Sequence, residues 1–208
     1  CVVIKNNKIS SICIITQYYF PETGAPQIRL ANMGRVLKSQ NVDVSVITTF
    51  PSYPDGVLKK PYRRTLRQIE TIDDIAITRV FSFIAAGKQK LRSVLSYVSF
   101  SFFAIPSVIF SKQRDIFFVE AQPVTLAIPA FLAKIFRGTP YVYNTPDLQV
   151  EHAKEDRWVP NFVVYFASHL EGFLMRNSLA VTTVTDSFRD YFVSKYKLKP
   201  NRVLMLPN

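Results

Sequence analysis

The chain has 208 residues, of which 48% are hydrophobic and 13% aromatic. This composition excludes a disordered or low-complexity protein and allows one large domain with a sizeable core. Lysine and arginine total 26 against 15 aspartate and glutamate residues, which gives a formal net charge of +11. This charge indicates anionic partners such as nucleic acid, anionic lipid or phosphorylated substrates. The alternative is a basic, solvated surface without such a partner.

Apolar, β-rich runs alternate along the chain with segments of helical periodicity. The predicted strands are residues 9–16, 42–48, 75–80, 116–120, 141–144, 180–185 and 203–206. The predicted helices are residues 26–39, 89–110, 124–136, 160–176 and 187–196, with Asp186 as the N-cap of the last. We therefore expect one Rossmann-like, doubly wound α/β domain with a mostly parallel sheet of about seven strands.

An uncharged segment, residues 93–111, raises the question of a membrane-spanning helix. A spanning helix needs about 20 mostly apolar residues. This segment is slightly short, is rich in serine and contains Pro106. We interpret it as a helix packed in the core or lying on a membrane surface.

Cysteine and histidine usage indicates no disulfide framework and no metal site. Cys13 lies inside an apolar strand, where it fits burial as a small hydrophobe in a reducing cytosol. His152 and His169 are the only histidines, and no metal-ligand spacing is present.

The loop after the first strand is the most informative candidate site, because ligands of parallel α/β sheets bind beyond the carboxyl ends of the strands. Gly24 allows close approach of a phosphate or, alternatively, supplies a turn with positive φ. Glu22 and Thr23 are candidates for binding ligand hydroxyls. Alternatively, the Glu22 carboxylate interacts favourably with the positive end of the helix dipole. Arg29 either pairs with an anion or is a solvated helix residue. One glycine matches neither a dinucleotide fingerprint nor a P-loop.

Loops after the later strands supply further candidates. Asp147 follows the fifth predicted strand, where it could accept a proton from a sugar hydroxyl or cap a turn. Tyr53 could stack on a sugar ring or pack internally. Gln122, Thr145 and Thr185 lie at the ends of three other strands and are predicted to contact substrate. His152 is interpreted as a surface loop histidine rather than a base.

Basic residues cluster near apolar stretches, which suits an anionic membrane face at about 1 kcal/mol per well-placed cation. No RNA- or DNA-binding motif supports nucleic acid as the partner, and a solvated face is the remaining alternative. The predicted membrane-facing residues are Lys59, Lys60, Arg63, Arg64, Lys88, Lys90 and Arg92.

Four segments together resemble the N-terminal domain of glycosyltransferase family 4. They are QYYFPETGAP (17–26), VSVITTFPSYPDG (44–56), YVYNTPDL (141–148) and RVLMLPN (202–208). The second and third are most similar to the subgroup of L-fucosamine and colanic-acid glycosyltransferases. The last resembles the segment before the family's interdomain linker. The resemblance covers nearly the whole chain.

The resemblance implies a GT-B fold, in which two Rossmann-like domains face a cleft. It implies transfer of a sugar from a UDP- or GDP-sugar with retention of configuration, without a metal or other cofactor. Gly24 would approach the donor phosphates, and Asp147 would lie near the reacting hydroxyl. Many relatives carry His before that aspartate, where this sequence has Pro146, and Ala25 replaces the family's second glycine.

We therefore expect residues 1–208 to form a single acceptor-side domain, with the donor-binding domain elsewhere in the same chain or in a partner chain. The expected acceptor is a lipid-linked saccharide in bacterial surface polysaccharide synthesis, such as O-antigen, lipopolysaccharide or capsule. The expected location is the cytoplasm, peripheral to the inner face of the cell membrane. The alternatives are an accessory binding module that needs a donor-domain partner, and a generic nucleotide-binding enzyme, which the missing glycines disfavour.

Overall fold

The computed structural model describes residues 9–84, 90–155 and 159–207, and the structural statements below refer to these residues. The strands are β1 (Ser11–Ile15), β2 (Asp43–Thr49), β3 (Arg67–Ile72), β4 (Ile75–Val80), β5 (Ile116–Glu120), β6 (Tyr141–Asn144), β7 (Ala180–Thr183) and β8 (Val203–Met205). The helices are α1 (Ala25–Ser39), α2 (Lys90–Ile109), α3 (Ala127–Arg137), α4 (Gln149–Glu155), α5 (Asn161–Asn177) and α6 (Asp186–Tyr196).

One eight-stranded sheet organises the domain, in the order β3-β4-β2-β1-β5-β6-β7-β8. Every pairing is parallel except β3 with β4. The predicted doubly wound α/β fold is confirmed. The strand order reverses between β1 and β5, so the crevice at the carboxyl ends of these two strands is the topological switch point.

Two elements are absent from the sequence-based prediction. β3 is an edge strand whose side chains alternate between exposed and half-buried, so it lacks the apolar run that marks the other strands. α4 is a seven-residue, mostly polar helix, and it carries His152, which we had placed in a loop. The N-cap of α6 is Thr185, not Asp186, because the Thr185 hydroxyl accepts the backbone N–H of Phe188.

The core fills both faces of the sheet. Cys13 is buried, as predicted, and burial raises the pKa of its thiol to about 11. Helix α2 packs on α3 and the sheet through Phe100, Ala104 and Val108, which repeat every four residues and are fully buried. The segment Arg92–Ile109 has the length and hydropathy of a membrane span, yet 39% of it is buried inside the domain.

Arg79 is a fully buried cation at the end of β4. Its guanidinium pairs with Glu70 on β3 and donates to the backbone carbonyls of Thr49 (3.0 Å) and Phe20 (2.6 Å). The ring of Tyr62 lies 4.9 Å from the guanidinium carbon. The Arg79 side chain thus connects β3, the end of β2 and the β1–α1 loop, beside the switch point.

Candidate functional site

A chain of buried polar side chains crosses the carboxyl edge of the sheet. The Arg29 guanidinium, on α1, donates from Nη2 to both carboxylate oxygens of Glu120 at 2.7 and 2.9 Å. The Asn144 amide donates to Glu120 Oε2 at 2.7 Å, and Asn144 Oδ1 accepts from the Thr182 hydroxyl at 2.7 Å. The network joins α1 to the ends of β5, β6 and β7, so it fixes the floor of the switch-point crevice.

Glu120 is the carboxylate at the centre of this floor, and the sequence analysis did not select it. Burial raises the pKa of its carboxyl group, while the Arg29 charge and the Asn144 amide act in the opposite direction. Arg29 pairs with an internal carboxylate, and its predicted contact with substrate stays a prediction. The two residues are 91 positions apart, so only the fold brings them together.

The N-terminus of α1 points the first N–H groups of the helix toward the same edge. Gly24 is the N-cap, with extended backbone (φ −139°, ψ 166°), so the alternative of a positive-φ turn is wrong. No side chain caps this end. A Cβ on Gly24 would lie 2.3 Å from Gln27 Oε1, so the glycine makes room for Gln27 to fold over the helix end. Uncapped helix N-termini of this kind favour anionic ligands.

Unpartnered polar atoms concentrate at this edge. Among the described residues, five buried side-chain nitrogen or oxygen atoms lack a hydrogen-bond partner. Four of them belong to residues at the carboxyl ends of strands or in the first turn of α1: Gln17, Gln27, Gln122 and Thr183. Because an unpaired buried polar group costs about 1–3 kcal/mol, these atoms are candidates for hydrogen bonds to water or to a polar ligand.

The predicted residues of the loops after β1 and β2 have different environments. Glu22 is buried, and its Oε1 accepts the backbone N–H groups of Ser52 and Tyr53, each at 2.8 Å, so it ties the two loops together. Burial raises the pKa of Glu22, against the effect of these two N–H donors. Thr23 is exposed, and the half-exposed Tyr53 ring lies 5.6 Å from that of Tyr18. Tyr53 and Thr23 are the members of this group that face solvent.

Asp147 lies in the β6–α4 loop, with its side chain 46% exposed. Its Oδ1 accepts the Leu148 N–H at 2.7 Å and lies 3.5 Å from Nδ1 of His152. In the described part of the chain no hydrogen bond is made to Oδ2. Thr145 is buried and its hydroxyl donates to the Asp147 carbonyl at 2.9 Å, which fixes the loop. The carboxylate is therefore held by one oxygen and open at the other.

The remaining predicted residues differ in exposure and in contacts. Gln122 follows β5 and has one of the unpartnered amides, whereas Thr185 serves as the α6 cap. Of the basic residues, Lys60, Arg63, Arg64 and Arg92 are exposed and Lys59 is half-buried. Lys88 and the side chain of Lys90 lie outside the described residues. Within the described ranges, no three His, Cys, Asp or Glu side chains cluster as metal ligands do.

A family model for the glycosyl transferase 4-like domain matches residues 24–208, almost the whole of the chain. The chain belongs to this family. No curated protein sequence matches it significantly. The predicted resemblance to glycosyltransferase family 4 is thereby confirmed at the level of the family.

Three solved structures share this fold at low sequence identity. Sucrose-phosphate synthase from Thermosynechococcus elongatus superposes with a TM-score of 0.66 at 12% identity, over 95% of this chain and 48% of that one. The catalytic domain of starch synthase IV from Arabidopsis thaliana, bound to ADP and acarbose, gives 0.65 at 13% identity, over 97% and 52%. Anabaena HepE, in complex with UDP and glucose, gives 0.58 at 10% identity, over 97% and 45%. The glycosyltransferase 4-like domain thus has the fold of one GT-B half, and it spans about half the length of these structures.

Proposed function

We propose that this domain is the acceptor-side half of a retaining glycosyltransferase of the L-fucosamine or colanic-acid type. It would transfer a sugar from a UDP- or GDP-sugar to a lipid-linked saccharide in surface polysaccharide synthesis. The observation that carries the proposal is the set of unpartnered polar atoms at the switch point, beside the uncapped N-terminus of α1. Structures of similar fold were solved with UDP and glucose or with ADP and acarbose, which supports a nucleotide-sugar donor.

The proposed division of labour follows from the crevice. The uncapped N-terminus of α1 would face the donor phosphates from one side. Asp147 Oδ2 would accept a hydrogen bond from the acceptor hydroxyl. The unpartnered polar atoms at the strand ends would bind other hydroxyls. The Arg29–Glu120 pair is a positioning element, because it holds α1 against β5. The second half of the donor site would come from a further domain, in the same chain or in a partner.

Binding measurements test this division directly. By calorimetry, this chain alone is expected to bind UDP- and GDP-sugars with Kd weaker than about 1 mM, because half of the donor site is missing. Adding the nucleotide-sugar-binding half is expected to restore binding and transfer, and NMR of the product reports the anomeric configuration. A micromolar Kd for a nucleotide sugar on this chain alone contradicts the proposal, as does an inverted product.

Membrane association is the second part of the proposal. Lys60, Arg63 and Arg64 lie exposed between β2 and β3, at the carboxyl edge of the sheet, where they would meet an anionic membrane surface. This would place the protein peripherally on the cytoplasmic face of the membrane.

Vesicle flotation checks the membrane proposal. Binding to vesicles with anionic lipid is expected at low salt and to fall strongly at high salt. Arg63→Glu/Arg64→Glu is expected to lower the partition coefficient by at least about tenfold, since about 1 kcal/mol is lost per cation and charge reversal adds repulsion. The control is Lys38→Glu/Lys199→Glu, which changes the net charge by the same amount but at the opposite edge of the sheet. Salt-insensitive binding, or equal effects of both variants, contradicts attraction by this loop.

A further inference from the structure

An apolar groove runs beside the candidate site, between the N-terminal halves of α2 and α5. Its volume is about 540 Å³, and its walls are almost entirely hydrocarbon. Val98 on α2 and Val163 and Phe166 on α5 form its rim, with 50%, 41% and 66% of their surface exposed. Exposed, continuous apolar surface of this kind marks a binding site for a lipid or an apolar ligand.

The groove begins where the polar crevice ends. Pro123, on its wall, directly follows Gln122, and Gln149 on the wall is two residues after Asp147. Tyr97, also on the wall, follows Ser96, whose hydroxyl accepts from Gln17 Nε2 at 3.0 Å. Gln17 and Gln122 are both residues with unpartnered buried atoms in the crevice. A single molecule could therefore occupy both sites only if it had a polar end and an apolar end.

The size of the groove matches a flexible chain better than a peptide helix. A helix about 10 Å across fills roughly 420 Å³ per turn, so the groove would hold little more than one turn. Pockets for small ligands span about 300–1,000 Å³. The charge of the protein also favours a ligand with an anionic group. The formal net charge is +11. Arg92 is exposed in the first turn of α2, two residues before the wall residue Val94. A ligand with an anionic head and a hydrocarbon tail would match both the polar crevice and the apolar groove.

We infer that this groove binds the hydrocarbon tail of a lipid-linked acceptor whose anionic head and sugar lie toward the switch-point crevice. The identity of the head group rests on the proposed function, whereas the tail assignment rests on the groove. The tail would leave the bilayer between α2 and α5 and would hold the sugar in the crevice, in reach of Asp147.

The test uses farnesyl diphosphate below its micellar concentration and inorganic diphosphate as the tail-free probe. By calorimetry on the chain, farnesyl diphosphate is expected to bind at least tenfold more tightly, because each buried methylene contributes about 0.8 kcal/mol. Val98→Asp, which puts a charge on the groove rim, is expected to weaken farnesyl diphosphate at least tenfold. Leu95→Asp is the matched control, since Leu95 is equally exposed (48%) on the same helix and does not line the groove.

Equal affinity for the two diphosphates overturns the inference, as do equal effects of Val98→Asp and Leu95→Asp. Sedimentation that shows a dimer broken by Val98→Asp, without binding of farnesyl diphosphate, assigns the groove to a second copy and also overturns it. The probe carries no sugar, so its binding is independent of donor specificity and transfer. Tail binding without sugar transfer would refute the proposed function alone, and transfer without tail binding would refute this inference alone.

Discussion

Replacing Arg79 with methionine is expected to lower the free energy of unfolding by about 3–5 kcal/mol. The guanidinium is fully buried and holds Glu70 together with the carbonyls of Phe20 and Thr49. Methionine fills much of the same volume but donates no hydrogen bond, so these acceptors lose their partner. The Glu70 carboxylate, of which only 21% is exposed, also loses its counter-charge.

Denaturant unfolding measures this effect, and Arg35→Met is the matched control. Arg35 also pairs with a carboxylate, Asp73, but both side chains are about half exposed (47% and 49%). Exposed pairs contribute about 0–1 kcal/mol, so Arg35→Met should shift the midpoint little. If the two variants lose similar stability, Arg79 does not fasten the end of β2 and the β1–α1 loop to the edge strand.

The parts of the fold that were predictable are those in which local pattern and global packing agree. Central strands of a parallel sheet are buried on both faces, so β5 and β6 appear in the sequence as mostly apolar runs. β3 escaped prediction because it is an antiparallel edge strand with a polar face. α4 was not predicted because its seven mostly polar residues show no helical periodicity of apolar positions.

The site was less predictable than the fold, because its contacts depend on strand register. Glu120 faces Asn144 in the β5–β6 pairing, and no local pattern sets that register. Arg29 reaches Glu120 from α1, which follows β1, the other neighbour of β5. The loops after the strands could be selected, since the carboxyl edge of a parallel sheet is where ligands bind. Which side chains in those loops bind each other, as Glu22 binds the loop after β2, required the structure.

His152 illustrates the same limit at the proposed reaction centre. The resemblance to glycosyltransferase family 4 implies a histidine directly before the aspartate, and this sequence has Pro146 there. In the structure, α4 turns His152 back so that Nδ1 lies 3.5 Å from Asp147 Oδ1. The chain thus brings an imidazole to the aspartate from five residues downstream.

Replacing Asp147 with asparagine is expected to lower kcat by about 10²–10⁴-fold in the protein assembled with its nucleotide-sugar-binding half. Asparagine keeps an Oδ1 acceptor for the Leu148 N–H, so the loop conformation should be preserved. What it lacks is a basic oxygen to take the proton of the acceptor hydroxyl at the position of Oδ2. The loss should therefore fall on kcat, with KM for the acceptor changed by less than about threefold.

Steady-state kinetics with a saccharide acceptor measures this loss, and Asp190→Asn controls for the change of charge. Asp190 lies exposed on α6 and pairs with Arg189. Because Asp147 is 46% exposed, the variant should unfold at the same denaturant concentration as the parent, which separates chemistry from folding. A kcat within about threefold of the parent would remove Asp147 from the reaction. The orphaned polar atoms at the ends of β1 and β5 would then mark only where the acceptor binds.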